Sequence, residues 1–315
     1  MPHGVLRGRD NPSITPAPDA RTDTMKLHRT TARRATLLAV TALALVPTAA
    51  SAANTNGTDR GELLRGTGVA DVIDGRGGND RIFGFGGIDT LRGGAGYDRI
   101  FGGSGNDSLF GERGNDFLNG QSGDDVLRGD ANDTGDRTSY DRLIGGAGAD
   151  TLYGGDSHDR LSGSTGNDKA FGERGADRIA GGRGDDALDG GAGNDTIFAN
   201  RGVDTVEGGA GSDRLWALAK GDVVPGPGGA VDQVGDTVNA GSGNDRIRTR
   251  DGEVDRVTCG EGKDRADLDN ADVIVDATAA APNGSCETVV RADPKAGESN
   301  DEDRQEAPKD ERATS

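Results

Sequence analysis

Between residues 66 and 216 one aliphatic side chain recurs every nine residues, and almost everything between is small or polar. One block reads GGAGYDRIF (93–101), GGSGNDSLF (102–110), GERGNDFLN (111–119) and GQSGDDVLR (120–128). A second runs from GGAGADTLY (145–153) to GGAGNDTIF (190–198). The recurring positions are Ile73, Ile82, Leu91, Ile100, Leu109, Leu118 and Leu127, then Leu143, Leu152, Leu161, Ala170, Ile179, Leu188, Ile197, Val206, Leu215 and Val224. Each stands in the middle of an x-(apolar)-x stretch, the pattern of a very short strand with its central side chain on one face. The six residues between are rich in Gly, Asn and Asp, which accept positive φ, so they read as turns. Strand, turn, strand, turn makes a coil of eighteen residues. Stacked coils pair their strands in parallel and align the aliphatics as a thin internal ladder. One repeat alone buries too little surface, so stability comes from stacking.

Two residues before each aliphatic stands an aspartate. The series is Asp71, Asp80, Asp89, Asp98, Asp107, Asp116, Asp125 and, after a seven-residue insertion at 130–136, Asp141, Asp150, Asp159, Asp168, Asp177, Asp186, Asp195, Asp204, Asp213 and Asp222. Stacking sets each above its neighbour at one strand spacing, about 4.8 Å. A column of carboxylates at that spacing is strongly repulsive. Turn carbonyls point into the same gap. Charged and neutral hard oxygens at this separation suit Ca²⁺, whereas Mg²⁺ demands tighter octahedral geometry and keeps its water. The usual His and Cys ligands of zinc and copper are missing. The candidate metal ligands are the aspartates of the series at 80–125 and 150–213.

The repeat Gly-Gly-x-Gly-x-Asp-x-(apolar)-x resembles the RTX, or hemolysin-type, calcium-binding nonapeptide family, a parallel β-helix signature. The match is close over 66–216 and loose over 217–275. The resemblance implies an all-β fold, a right-handed parallel β-roll of eighteen-residue coils. It implies multiple Ca²⁺ ions, each between two turns on one side, with ligand pairs such as Asp80 and Asp98, Asp89 and Asp107, Asp98 and Asp116, Asp150 and Asp168, and Asp177 and Asp195. Some turns depart from the family's pattern. Glu112, Gln121, Ser164 and Glu173 replace the second glycine, Ser157 replaces the glycine two before Asp159, and Ala199-Asn200 replaces both leading glycines. Weak binding or none is expected there.

Composition agrees with an order that does not come from a bulky core. Apolar residues make up 32% of the 315 and aromatics 3%, while 55 are glycine. Composition alone would favour disorder, but a disordered linker has no need of one aliphatic per repeat. The net charge is −18; residues 1–52 hold seven Lys/Arg against three Asp, +4, which leaves −22 for the rest. Such a body repels itself unless cations enter it. Nucleic acid is a poor partner for it, and the chain offers no long amphipathic helix for membrane insertion.

Residues 25–52 read as a secretory signal peptide: a basic start (Lys26, His28, Arg29, Arg33, Arg34), an apolar run at 35–46, and Ala50-Ser51-Ala52 before cleavage near Ala52. The run is too short for an uncleaved membrane anchor. Residues 1–24 are polar and precede a better start at Met25, as a misassigned upstream extension would. The expected product is secreted. Its organisation is a cap or linker at 53–65, calcium-binding repeats at 66–216, degenerate repeats and a cap at 217–290, and a disordered acidic tail at 291–315. Within 217–240, Pro225, Pro227 and Gly228-Gly229 read as an inserted loop, after which the beat returns at Asp236 and Asp245 and slips by one at Asp255 and Asp264. Cys259 and Cys286 are the only cysteines. An intrachain disulfide stapling the cap is the simplest reading; free thiols or intermolecular pairing is the alternative.

No HExxH, GxSxG or P-loop motif is present, and the exported part has one histidine, His158, expected to decorate a turn. No enzyme is expected. The function so read is calcium binding by a secreted, calcium-dependent structural or interaction protein with an unknown protein or cell-surface partner. The alternative is the repeat module of a secreted hydrolase or toxin-like protein.

Overall fold

Each x-(apolar)-x unit becomes a strand because its flanking residues face outward while the aliphatic meets its counterpart inside. In the computed structural model, which describes residues 51–130, 139–218 and 235–292, alternate strands join two twelve-stranded sheets. Residues 1–50 with most of the expected signal peptide, 131–138 with most of the insertion at 130–136, 219–234 with Asp222 and Val224, and the tail from 293 lie outside the described residues. All pairing between neighbouring strands is parallel, eighteen residues apart in the regular part: Ile73 pairs with Leu91 and Leu91 with Leu109 in one sheet, Ile82 with Ile100 and Ile100 with Leu118 in the other. The fold is an all-β parallel solenoid, as the beat predicts. No helix occurs among the described residues.

The core is a single file of side chains from each sheet. From Ile73 to Ile179 every rung is fully buried, including Ala170, which is the smallest. This ladder holds no polar side chain, so its cohesion is burial alone, roughly 1.5–3 kcal/mol for a Leu or Ile side chain taken from water. The turns are tied from coil to coil by backbone hydrogen bonds, as from Gly78 N–H to Ala95 O (2.8 Å) and Gly87 N–H to Ser104 O (2.9 Å).

Three details differ from, or add to, the sequence-based expectation. Residues 53–65 form a coil of their own, with Asn54–Asn56 paired to Val72–Asp74 and Leu63 to Arg81. The beat would set Asp222 above Asp204. Instead Val238 pairs with Val206 and Ile247 with Leu215, thirty-two residues on. The seven-residue insertion is likewise spanned, Leu118 pairing with Leu143 and Leu127 with Leu152.

The substituted turns keep the glycine conformation. Glu112, Gln121, Ser164, Glu173 and Asn200 all hold φ between 70° and 83°, and Ser157 holds 107°. Arg76 and Phe85 do so too, at 70° and 75°, two departures the sequence reading did not single out. Left-handed backbone costs a non-glycine residue roughly 1–2 kcal/mol. The coil-to-coil hydrogen bonds and ladder impose it.

Cys259 and Cys286 form a disulfide and are buried, joining the end of the ladder to the last turn.

Candidate metal columns

Stacking brings the aspartates into two columns, one along each line of turns. In every regular coil the backbone N–H of one Asp donates to Oδ1 of the Asp eighteen residues later. Asp80 donates to Asp98, Asp89 to Asp107, Asp98 to Asp116, Asp150 to Asp168 and Asp177 to Asp195, all at 2.7–2.8 Å. The pairs expected from the resemblance are therefore direct neighbours. The columns also run across the insertions. Asp116 donates to Asp141 and Asp125 to Asp150; Asp204 donates to Asp236 and Asp213 to Asp245; Asp236 and Asp245 then donate to Asp255 and Asp264.

One column starts at Ala53, which donates to Asp71, and ends where Asp255 meets Asp272. The other starts at Glu62, which donates to Asp80, and ends where Asp264 meets Glu287. Asp71, Asp141, Asp236, Asp245, Asp255 and Asp264 thus belong to the same device as the candidate ligands and were not among them. All six stand in the beat read from the sequence, the last four after the inserted loop and the one-residue slip; pairing adds which coil each stacks on.

The hydrogen bond accounts for one carboxylate oxygen. The other is buried and has no hydrogen-bond partner in Asp80, Asp89, Asp98, Asp107, Asp116, Asp125, Asp141, Asp150, Asp159, Asp177, Asp195 and Asp213. Backbone oxygens converge on the same places. A Cβ added to Gly75 would meet Asp80 Oδ2 at 2.4 Å and Gly93 O at 2.5 Å; at Gly84 it would meet Asp89 Oδ2 at 2.3 Å and Gly102 O at 2.5 Å. The first glycine of the repeat therefore leaves a cradle faced by a carboxylate of its own coil and a carbonyl of the next. Ala199 and Ala240 stand at the equivalent position.

Burial raises these carboxyls above the usual range. It pushes Asp98 and Asp107 to about 6, Asp125, Asp150, Asp159 and Asp195 to about 7, Asp116 and Asp177 to about 8, and Asp141 to about 9. In each the backbone donor pulls the other way and neighbouring acids add to the rise. These groups lack a positive partner at neutral pH. Such stacked, half-satisfied carboxylates fit a hard divalent cation. Among the described residues no three His, Cys, Asp or Glu side chains gather as a metal-binding group. The available set is therefore paired carboxylates with backbone oxygens, which fits calcium and not a thiophilic metal.

A second ladder of side chains supports the turns. Asn79 Oδ1 accepts from Tyr97 N–H, Asn106 Oδ1 from Asp124 N–H and Asn167 Oδ1 from Asp185 N–H, each at 3.0 Å. His158 holds this position, its Nδ1 accepting from Ala176 N–H at 2.7 Å. The histidine sits in a turn as expected.

A family model described as the RTX calcium-binding nonapeptide repeat matches the chain in overlapping segments over 56–133, 141–222 and 234–253. No similar sequence was found among curated proteins. With its nonapeptide beat, paired columns and this match over more than half its length, the chain belongs to the RTX calcium-binding nonapeptide repeat family.

Proposed function

We propose that this protein is a calcium-dependent structural or interaction protein of the cell exterior, non-catalytic, and exported by way of the leader at 25–52. One observation carries the calcium part: two continuous columns of buried carboxylates in which Asp80, Asp89, Asp98, Asp107, Asp116, Asp125, Asp141, Asp150, Asp159, Asp177, Asp195 and Asp213 each keep a buried oxygen without a hydrogen-bond partner. Asp80, Asp89, Asp98, Asp107, Asp116, Asp125, Asp150, Asp159, Asp168, Asp177, Asp186, Asp195, Asp204 and Asp213 would hold the ions with turn carbonyls. Bound calcium supplies the positive charge the columns lack. The protein's own part is to present the oxygens in register and exclude water from the ladder behind them. Since the binding oxygens exist as a set only when coils stack, binding and folding are one equilibrium. Export suits this arrangement, because free calcium is plentiful outside cells and the Cys259–Cys286 bond survives there.

The test is calcium titration of the purified chain, following far-UV circular dichroism beside calorimetry. The expected result is multi-site uptake coupled to a coil-to-β transition, with little response to magnesium. No uptake and no structural change at millimolar calcium would refute the proposal.

A further inference from the structure

The column that begins at Ala53 has a head unlike the rest of its length. Ala53 stands eighteen residues before Asp71, where later coils carry their aspartate. Its backbone N–H donates to Asp71 Oδ1, and its carbonyl accepts from Val72 N–H at 2.9 Å. The first strand follows at once, Asn54–Asn56, paired with Val72–Asp74. Ser51 and Ala52 are exposed. Ala53 is therefore the residue at which the described chain joins the solenoid.

Asp71 also differs from the aspartates that follow it. Its second oxygen accepts from Thr67 N–H at 2.5 Å, and the Thr67 hydroxyl lies 3.1 Å from both oxygens. In Asp89, Asp107 and Asp125, the next three of this column, that oxygen is buried without a hydrogen-bond partner. Thr67 holds the second place of its repeat. From Arg76 to Gln121 every residue in that place holds a positive φ, and Thr67 does not. The first turn is thus built to satisfy Asp71 with protein groups. Asp71 is only 2% exposed, and none of these donors carries charge while residue 52 is joined to 53.

Cleavage after Ala52 changes that. Hydrolysis of the Ala52–Ala53 amide consumes one water and leaves a carboxylate on Ala52 and an α-amino group on Ala53, protonated at neutral pH. The nitrogen already aimed at Asp71 then carries three N–H bonds in place of one, and a full charge. Charge-assisted hydrogen bonds are about twice as strong as neutral ones. A fixed cation at the head also offsets the repulsion along a column of carboxylates.

We propose that Ala53 is the amino terminus of the mature protein and that its α-ammonium is clamped by Asp71, so that removal of the leader completes the first coil. Asp71 is then the anchor of the terminus and not an ion ligand. This rests on the leader at 25–52 proposed above. It puts export and folding in sequence, because the solenoid gains its charged head only in a chain that has lost its leader.

The test begins with the full chain expressed with its leader in an exporting bacterial host. Mass spectrometry of the exported product is expected to find Ala53 as its first residue. That product is then labelled with an amine-reactive ester in calcium and in EDTA, with exposed Lys169 as the internal reference. Relative to Lys169, the α-amine is expected to react about tenfold more slowly in calcium than in EDTA. Asp71→Asn is expected to abolish that protection and to leave the calcium stoichiometry unchanged. A chain begun at Ser51, released from a fusion, keeps the Ala53 N–H as an amide; it is expected to melt roughly 3–6 °C lower in calcium than the exported product. A product that retains residues 25–52 refutes the leader and the clamp together. A cleaved product that begins elsewhere than Ala53, or begins there with an unprotected α-amine, refutes the clamp alone. Equal melting of the chain begun at Ser51 does the same. Loss of one calcium ion in Asp71→Asn would make Asp71 a ligand and overturn its role as anchor.

Discussion

Consider Asp116 at pH 7 without calcium. In the unfolded chain its carboxyl has the ordinary value of 3.8 and is ionised; in the fold, burial pushes it to about 8, against the opposing hydrogen bond from Asp98 N–H. Folding at pH 7 therefore requires it to take up a proton, at a cost of about 4 kcal/mol for the three units between its ordinary value and the solution pH. Asp141, its neighbour in the column, is pushed to about 9 and faces a cost of the same order. A typical domain is stable by only about 5–15 kcal/mol in total. The sign follows from proton counts. The fold binds more protons than the unfolded chain between 3.8 and the raised values, so this contribution is complete below 3.8 and is lost as pH rises through about 6–9. Calcium-free protein should thus lose stability steadily from pH 5.5 to 8.5, a window above the isoelectric point of about 4.6. In saturating calcium the trend should reverse, because protons compete for the same oxygens. Asp116→Asn keeps an acceptor for Asp98 N–H and removes the charge. It should raise the calcium-free Tm at pH 7 while reducing calcium uptake. Thermal melts followed by circular dichroism in EDTA and in calcium, at several pH values, measure both. A calcium-free Tm that is flat or rises from pH 5.5 to 8.5 refutes the account of the columns.

Asp98 donates to Asp116 and accepts from Asp80, so Asp98→Ala should abolish two ion sites, read as a drop of two in calorimetric stoichiometry; an unchanged count means the register is misassigned. Gly102→Ala would set a methyl 2.5 Å from Asp107 Oδ2 and 2.8 Å from Gly120 O; it should weaken one site and cost roughly 1–3 kcal/mol, whereas Gly105→Ala, 1.7 Å from Gly87 O at a φ of 118°, should disrupt the stack, as denaturant titration would show. Replacing Cys259 and Cys286 by Ala opens a loop of sequence separation 27 and should cost about 3–4 kcal/mol on the loop-entropy model, seen as a lower Tm that dithiothreitol no longer changes.

The nine-residue beat, read along the chain, determines most of this protein. A period of nine with one aliphatic and one aspartate leaves few alternatives to short strands joined by tight turns, and stacking then makes a ladder and two carboxylate columns. Ile100 and Asp98 could be assigned to their places without coordinates, because each repeat has the same local chemistry. Where the period breaks, local chemistry marks the interruption and the returning beat at Asp236, but not which earlier coil that beat stacks on. Pairing of Val238 with Val206 sets Asp236 after Asp204, because the ladder must stay continuous. The tertiary structure alone decided two further matters. It showed that in residues such as Asp98 and Asp116 Oδ1 accepts from backbone while Oδ2 is buried without a hydrogen-bond partner, a division set by the orientation of each turn above the next. It also sorted alternate repeats onto opposite sheets. The arginines look scattered along the chain, since they occur in every second unit. Only when a coil sends one unit to each side do Arg81, Arg99, Arg142 and Arg160 fall into one file, while most strands of the other sheet carry an acid.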